Sequence, residues 1–292
     1  MNEPESGQTL VLSDGRRLGF AEYGDPAGQA VFHFHGSAGS RLDRPAKEKI
    51  LWQQGIRFIS VERPGQGLSD FQPNRRLVDW PKDVNELADH LGLKTYYVEG
   101  WSAGGPHALA CTWYLPDRVK AVALIASAAP MNREGALSGL PFPNLVLAAS
   151  ARWFPPLTYL MRWLTRRMVL RDAQQASQRV MVSIPEADKA ALYSPENLAV
   201  FIQSIQEGYR PGWRSVAQDD IIVNRDWGFD PASIQVPVDI WHGDADVNVP
   251  ISAGHYLAET LPQARPFFLP GEGHFFVLKR WGEVLAALVA PR

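Results

Sequence analysis

Gly100-Trp101-Ser102-Ala103-Gly104 lies between a β-prone segment, Thr95-Tyr96-Tyr97-Val98-Glu99, and a run with the character of a buried helix, Gly105-Pro106-His107-Ala108-Leu109-Ala110-Cys111. A chain that passes from strand to helix over so few residues must turn sharply, and small neighbours let a serine side chain stand clear of that turn. Glycine suits such a place because backbone segments approach too closely for a Cβ. In a chain with 24 glycines a G-x-S-x-G match alone decides little. The strand before it and the helix after it give the match its weight, and they mark Ser102 as a candidate nucleophile.

Outward from this point the chain alternates between strand-like and helix-like segments. Thr9-Leu10-Val11-Leu12 and Arg17-Leu18-Gly19-Phe20-Ala21-Glu22-Tyr23 flank a turn at Asp14-Gly15 and predict an antiparallel hairpin. Ala30-Val31-Phe32-His33-Phe34 predicts a short strand, residues 43–54 have helical spacing, and Ile56-Arg57-Phe58-Ile59-Ser60-Val61 predicts the next strand. Residues 77–91 place Val84, Leu87, Ala88 and Leu91 at helical intervals, with Gly92 as a stop signal. Residues 119–126 are almost wholly apolar, as a central parallel strand covered on both faces should be. Strand and helix in alternation argue for an α/β chain with helices on both sides of a parallel sheet.

The rhythm breaks at Ala128-Ala129-Pro130. Residues 131–232 are helix-like, aromatic and arginine-rich, without a convincing core strand. The alternation resumes with Val236-Pro237-Val238-Asp239-Ile240-Trp241, a helix over 251–261, a strand over 265–269 and a closing helix over 275–288. The expectation is a core in two parts, 1–130 and 233–292, with a helical lid at 131–232. Open α/β sheets bind ligands at the carboxyl ends of their strands, where such a lid would sit. Trp153, Phe154, Leu157, Tyr159, Leu160, Met161, Trp163 and Leu164 are interleaved with Arg152, Arg162, Arg166, Arg167 and Arg171. This pattern predicts an amphipathic helix with its apolar face over the pocket and its arginines in solvent. Docking of this basic, tryptophan-bearing surface on a membrane or an acidic partner is the minor reading. Met131, Trp153 and Tyr159 are the pocket-lining candidates here, beside His35, Gly36 and Trp101 from the core.

At 292 residues, with 46% hydrophobic and 21% charged, the chain is long and apolar enough to bury a globular core. A net charge of −2 gives no reason to expect nucleic acid. The lone Cys111 cannot form an internal disulfide and lies on a helix expected to be buried, which fits a reducing compartment. The opening residues Met1-Asn2-Glu3-Pro4-Glu5-Ser6-Gly7 are polar and acidic with no apolar signal region behind them, and no apolar run reaches membrane-spanning length. A cytoplasmic chain is expected, and a homodimer is left open.

A serine hydroxyl is a weak nucleophile and needs a base within hydrogen-bond reach and an acid to orient that base. Among the histidines downstream of Ser102, His274 stands in a glycine-rich loop, Pro270-Gly271-Glu272-Gly273-His274, directly after the last predicted strand. His107 is one turn into the helix after the serine, His255 belongs to a surface helix, and His242 ends a strand. For the acid, Gly243-Asp244-Ala245-Asp246-Val247-Asn248-Val249-Pro250 offers two carboxylates, whereas the segment after 119–126 has none before Glu134. His35-Gly36-Ser37-Ala38-Gly39 follows a strand and is small enough for backbone N–H groups to face a site. Expected oxyanion donors are the amides of Ser37 and Ala103, the latter at a helix N-terminus.

These stretches, with Glu62-Arg63-Pro64-Gly65-Gln66-Gly67-Leu68-Ser69, resemble the α/β-hydrolase fold superfamily over almost the whole chain outside the lid. Relatives usually carry aspartate where this chain has Glu62. The resemblance implies a mostly parallel eight-stranded sheet flanked by helices and the chain order serine, acid, histidine. In loops of this kind the acid stands four residues before the proline that opens the next helix, which selects Asp246 over Asp244. The resulting expectation is a Ser102, Asp246, His274 triad cleaving a small or medium apolar carboxylic ester or lactone through an acyl-enzyme. No cofactor is expected: there is no clustered Cys/His ligand set and no phosphate-cradling loop. Serine at 102 argues against dehalogenase or epoxide hydrolase chemistry. Carbon–carbon bond hydrolysis, aminopeptidase action of the proline iminopeptidase type with Glu186, Glu196 or Glu207 holding the amine, and a non-catalytic small-molecule binder remain as alternatives.

Overall fold

The computed structural model describes residues 7–133, 135–171 and 184–291. Glu134, the opening residues 1–6 and the part of the expected lid at 172–183 lie outside the described residues. Eight strands form one sheet in the order β1-β2-β4-β3-β5-β6-β7-β8. β1 (Gln8–Val11) and β2 (Arg17–Gly24) pair antiparallel, and β2 pairs antiparallel with β4 (Ile56–Val61). β3 (Gln29–Phe34), β5 (Tyr96–Trp101), β6 (Val119–Ile125), β7 (Val238–Gly243) and β8 (Ala264–Leu269) make only parallel pairings.

The two-residue period of a strand divides its apolar side chains between two cores. Phe32, Phe34, Val98, Val122, Leu124 and Ile240 pack on one face with Val84 and Leu87 of α2 (Trp80–His90), Leu109 of α3 (Gly104–Tyr114) and Leu257 of the helix Ile251–Thr260. Val31, Tyr97, Ala121, Ala123, Ile125 and Trp241 pack on the other with Leu51 of α1 (Lys49–Gln53) and Val284, Leu285 and Leu288 of the helix Val277–Val289. Cys111 is free and buried in the first core. The predicted helix over 43–54 shrinks to α1. Pro45 disfavours helical backbone at Arg44, and Asp43 is buried with a carboxylate oxygen 3.3 Å from His33 Nε2.

Between β6 and β7 the chain forms α4 (Phe142–Trp153), α5 (Pro155–Arg171), α6 (Glu186–Leu192), α7 (Pro195–Tyr209) and α8 (Arg214–Val223). The two helices after β7 and β8 are therefore α9 (Ile251–Thr260) and α10 (Val277–Val289). α5 packs on α4, α7 and α8. Among the described residues no helix is long and apolar enough to cross a membrane.

Candidate active site

Ser102 follows β5 and precedes α3 with φ of 55°, a left-handed conformation that side-chain-bearing residues adopt only under constraint. The constraint is the closeness of the backbone around it. A Cβ on Gly100 would meet the carbonyl of Gly104 at 2.5 Å, and one on Gly104 would overlap the Phe34 carbonyl of β3. The two glycines thus let strand and helix approach, and the strained serine projects into a cavity of about 460 Å³ that it lines together with Gly36, Ser37, Trp101, Ala103 and His274.

His274 Nδ1 lies 2.7 Å from Asp246 Oδ2. A carboxylate offers only lone pairs, so Nδ1–H is the donor and Nε2 is left as an acceptor on a residue that lines the cavity. The other oxygen of Asp246 accepts the amides of Asn248 at 2.7 Å and Val249 at 2.9 Å, which fixes the carboxylate. Burial disfavours the imidazolium of His274, yet the charge of Asp246, their hydrogen bond and the charge of Asp188 outweigh it and raise its pKa above the ordinary 6.5. Trp101 Nε1 donates to the His274 carbonyl at 3.3 Å. Among the described residues no hydrogen bond joins Ser102 Oγ to the ring; such contacts often close only when substrate binds.

The neighbouring acid-loop groups shape rather than react. His242 Nε2 donates to the Val249 carbonyl at 2.8 Å, and burial lowers its pKa. Asp244 Oδ1 accepts the Gly271 amide at 2.7 Å, tying the acid loop to the histidine loop. His107 Nδ1 donates to the Ala103 carbonyl within its own helix.

On the opposite wall, the amides of Ser37 and Ala103 are taken up by no other group among the hydrogen bonds of the described residues. The loop carrying Ser37 is held from below by Arg63, fully buried, which donates to the carbonyls of His35 at 2.5 Å and Gly36 at 3.0 Å and pairs with Asp219 of α8 at 2.7 Å. Glu62 serves the same framework: it accepts from Arg41 at 2.7 Å and from the Leu68 amide at 2.6 Å. Ser37 Oγ donates to Asp220 Oδ1 at 3.1 Å, and Arg162 of α5 donates to both oxygens of Asp220 at 2.5 and 2.9 Å. Among the described residues no group of three or more His, Cys, Asp or Glu side chains could hold a metal ion.

A family model described as alpha/beta hydrolase fold matches residues 29–280. The chain belongs to the alpha/beta hydrolase fold family. This hydrolase is 28% identical to a pimeloyl-[acyl-carrier protein] methyl ester esterase of Nitrosomonas europaea, over 76% of this chain and 79% of that protein. It is 30% identical to a putative 2-succinyl-6-hydroxy-2,4-cyclohexadiene-1-carboxylate synthase of Bacillus subtilis, over 39% of this chain and 42% of that one, under half of that relative's length. Among solved structures, a hydrolase from Pseudomonas aeruginosa PA01 superposes with a TM-score of 0.70 at 18% identity, covering 99% of this chain and 100% of that one; such identity shows shared fold alone.

Three pocket candidates in this hydrolase lie elsewhere. His35 is buried beneath its loop, donates Nδ1–H to the Gly36 carbonyl at 2.8 Å and does not reach the cavity. A Cβ on Gly39 would meet its ring at 2.8 Å, so the loop is folded directly over it. Trp153 ends α4 and is 63% exposed. On α5 the inward positions are Thr158, which bonds Ser150, and Arg162 one turn later, so Tyr159 is turned about 100° away from that face. Gly36, Trp101 and Met131 do line the cavity. The sequence predicts Arg162 in solvent; it instead joins the wall, because Asp220 offers it a buried carboxylate.

Asp188 of α6 had no signal in the sequence. Its buried carboxylate accepts the Phe275 amide, and a Cβ on Gly273 would overlap it, so it occupies the space that glycine leaves beside His274. The partners meet across 87 positions of sequence, and no local motif announces such a contact.

Proposed function

We propose that the chain is a serine hydrolase cleaving a small-to-medium carboxylic ester or lactone through an acyl-enzyme on Ser102, with α4–α8 as its lid. The observation that carries this reading is the 2.7 Å Asp246–His274 bond opening onto the cavity that Ser102 lines from its left-handed turn. His274 Nε2 takes the Ser102 proton as Oγ bonds to the carbonyl carbon, and Asp246 stabilises the imidazolium that forms. The carbonyl oxygen becomes an alkoxide held by the amides of Ser37 and Ala103. As the carbonyl reforms, the C–O bond to the alcohol breaks and the alcohol leaves with the proton from His274. Water then gives its proton to His274 and its oxygen to the acyl carbon, and Ser102 leaves reprotonated. For a lactone, the alcohol remains attached and the product is a hydroxy acid.

The same cavity gives an aminopeptidase reading no support. Glu186 is 81% exposed and pairs with Lys189, Glu196 bonds Ser194, and Glu207 pairs with Arg41 and Arg210; none lines the cavity. The test is turnover of p-nitrophenyl esters of increasing acyl length, and of simple lactones, by wild type and Ser102→Ala. The proposal expects saturable hydrolysis that falls by at least about 10³-fold in the variant. Equal activity in both would overturn it.

A further inference from the structure

The charged groups lining the cavity are Asp43, Arg133, Arg162 and Asp220, with His274. Among the described residues, each but one is matched from within the protein. Asp43 faces His33, whose pKa is raised to about 9 by Glu99 and Asp43 against the effect of burial, so the ring is cationic at neutral pH. Asp220 and Arg162 hold each other, and His274 is held by Asp246. Arg133, in the segment between β6 and α4, has no carboxylate partner among the described residues. Its Nε is buried without a hydrogen-bond partner, and its guanidinium lies against the ring of Tyr256, 5.9 Å from Cζ to the ring centroid.

Tyr256 belongs to α9, and Val249, Pro250 and Ala253 at the start of that segment also line the cavity. Through Tyr256 the guanidinium is therefore tied to the helix that opens at the acid loop. The same cavity is also lined by the apolar side chains of Met131, Leu140, Leu147 and Ala148. Asn144 is occupied by the Val247 carbonyl at 3.0 Å and by Asn248 Oδ1 at 3.2 Å. Partial burial already weighs against the charged form of Arg133. A partly buried cation with an unpartnered Nε is costly, and an anion arriving there recovers that cost in binding.

Resting on the ester-hydrolase reading above, we propose that the substrate carries a second, ionised carboxylate, which Arg133 binds while the ester or lactone carbonyl lies at Ser102. A guanidinium fork matches a carboxylate with two parallel N–H···O bonds. A monoanion also fits the count: among the described residues lining the cavity one uncommitted cation is available, whereas a phosphate monoester brings about −1.5 to −2 charges.

The test compares matched pairs of esters differing only in a terminal carboxylate. On the acyl side these are monoethyl glutarate against ethyl pentanoate, and monoethyl adipate against ethyl hexanoate. On the alcohol side they are 4-acetoxybutanoate against butyl acetate. The readout is the ratio of kcat/KM, acidic over neutral, for wild type, Arg133→Gln and Arg133→Lys, each first shown to label with a fluorophosphonate. In at least one pair the wild-type ratio is expected to exceed roughly 10, to fall toward one in Arg133→Gln and to recover partly in Arg133→Lys. Ratios near one in every pair, or a ratio that Arg133→Gln leaves unchanged, overturn the proposal while turnover of the neutral esters leaves the hydrolase reading standing. No labelling and no turnover of any ester removes both.

Discussion

Asp188 Oδ1 accepts the backbone amide of Phe275 at 2.7 Å, so a helix inserted between β6 and β7 holds the residue that follows His274. Its second oxygen is buried without a hydrogen-bond partner, and its charge acts on the imidazole of His274. Geometry and charge can be separated by substitution. Asp188→Ala strands a buried N–H, and the expected loss is about 1–3 kcal/mol in urea denaturation. Asp188→Asn keeps an acceptor and removes the charge. Because that charge helps raise the pKa of His274, the acid limb of kcat/KM is expected to move to lower pH. An unmoved limb in a folded Asp188→Asn protein would show that the carboxylate acts only as a tether.

In the proposed mechanism His274 must be neutral at Nε2 to accept the serine proton, so activity is expected to be lost as pH falls through its pKa. With that pKa raised, the limb is expected above 6.5 in wild type. Asp246→Asn removes the strongest of the raising charges and the acceptor that fixes the tautomer. We expect kcat to drop on the order of 10⁴-fold, measured on the best p-nitrophenyl ester. A drop below about tenfold would contradict the assigned role.

The Arg162–Asp220 pair joins α5 and α8 and anchors Ser37. Asp220→Ala leaves a half-buried guanidinium and the Ser37 hydroxyl without their carboxylate, and is expected to cost about 1–3 kcal/mol. Replacing both partners, Arg162→Met with Asp220→Ala, should return most of that loss because no charge is then stranded. Thermal denaturation of the single and double variants measures it; a double variant less stable than Asp220→Ala would count against a stranded charge.

His33 is fully buried, with Nδ1 2.5 Å from Glu99 Oε1. Its pKa is raised to about 9 in the folded protein from an ordinary 6.5. A raised histidine pKa contributes stability that is fully present below 6.5 and is lost as pH climbs through about 9. Urea denaturation at pH 7 and at pH 9.5 should therefore give a lower unfolding free energy at the higher pH, and His33→Gln should flatten that slope. Equal slopes in both proteins would rule the buried ring out as its source.

The sheet was legible because its strands are short apolar runs separated by helical spacing and turn residues, and parallel strands covered on both faces cannot be written otherwise. Residues 119–126 show this best: six of the seven residues of β6 are buried. The carboxyl ends of the same strands also marked where Ser102, Asp246 and His274 should be sought, and the fold brings the last two into hydrogen-bond contact. The inserted helices were another matter. Apolar residues occur all around α5, so its sequence does not say which side faces inward: the pattern predicts Tyr159 in the cavity and Arg162 in solvent, and the fold reverses both. Contacts of Asp188 with Phe275 and of Arg162 with Asp220 join segments 87 and 58 positions apart, set by packing of helices that carry no motif.

The most direct test of the account is intact-mass analysis after exposure to a fluorophosphonate, on wild type, Ser102→Ala and His274→Ala. An activated serine predicts one adduct on wild type, none on Ser102→Ala, and labelling slowed by orders of magnitude in His274→Ala. A folded wild-type protein that takes up no label, or one that labels equally after Ser102→Ala, would contradict a nucleophile at the turn between β5 and α3.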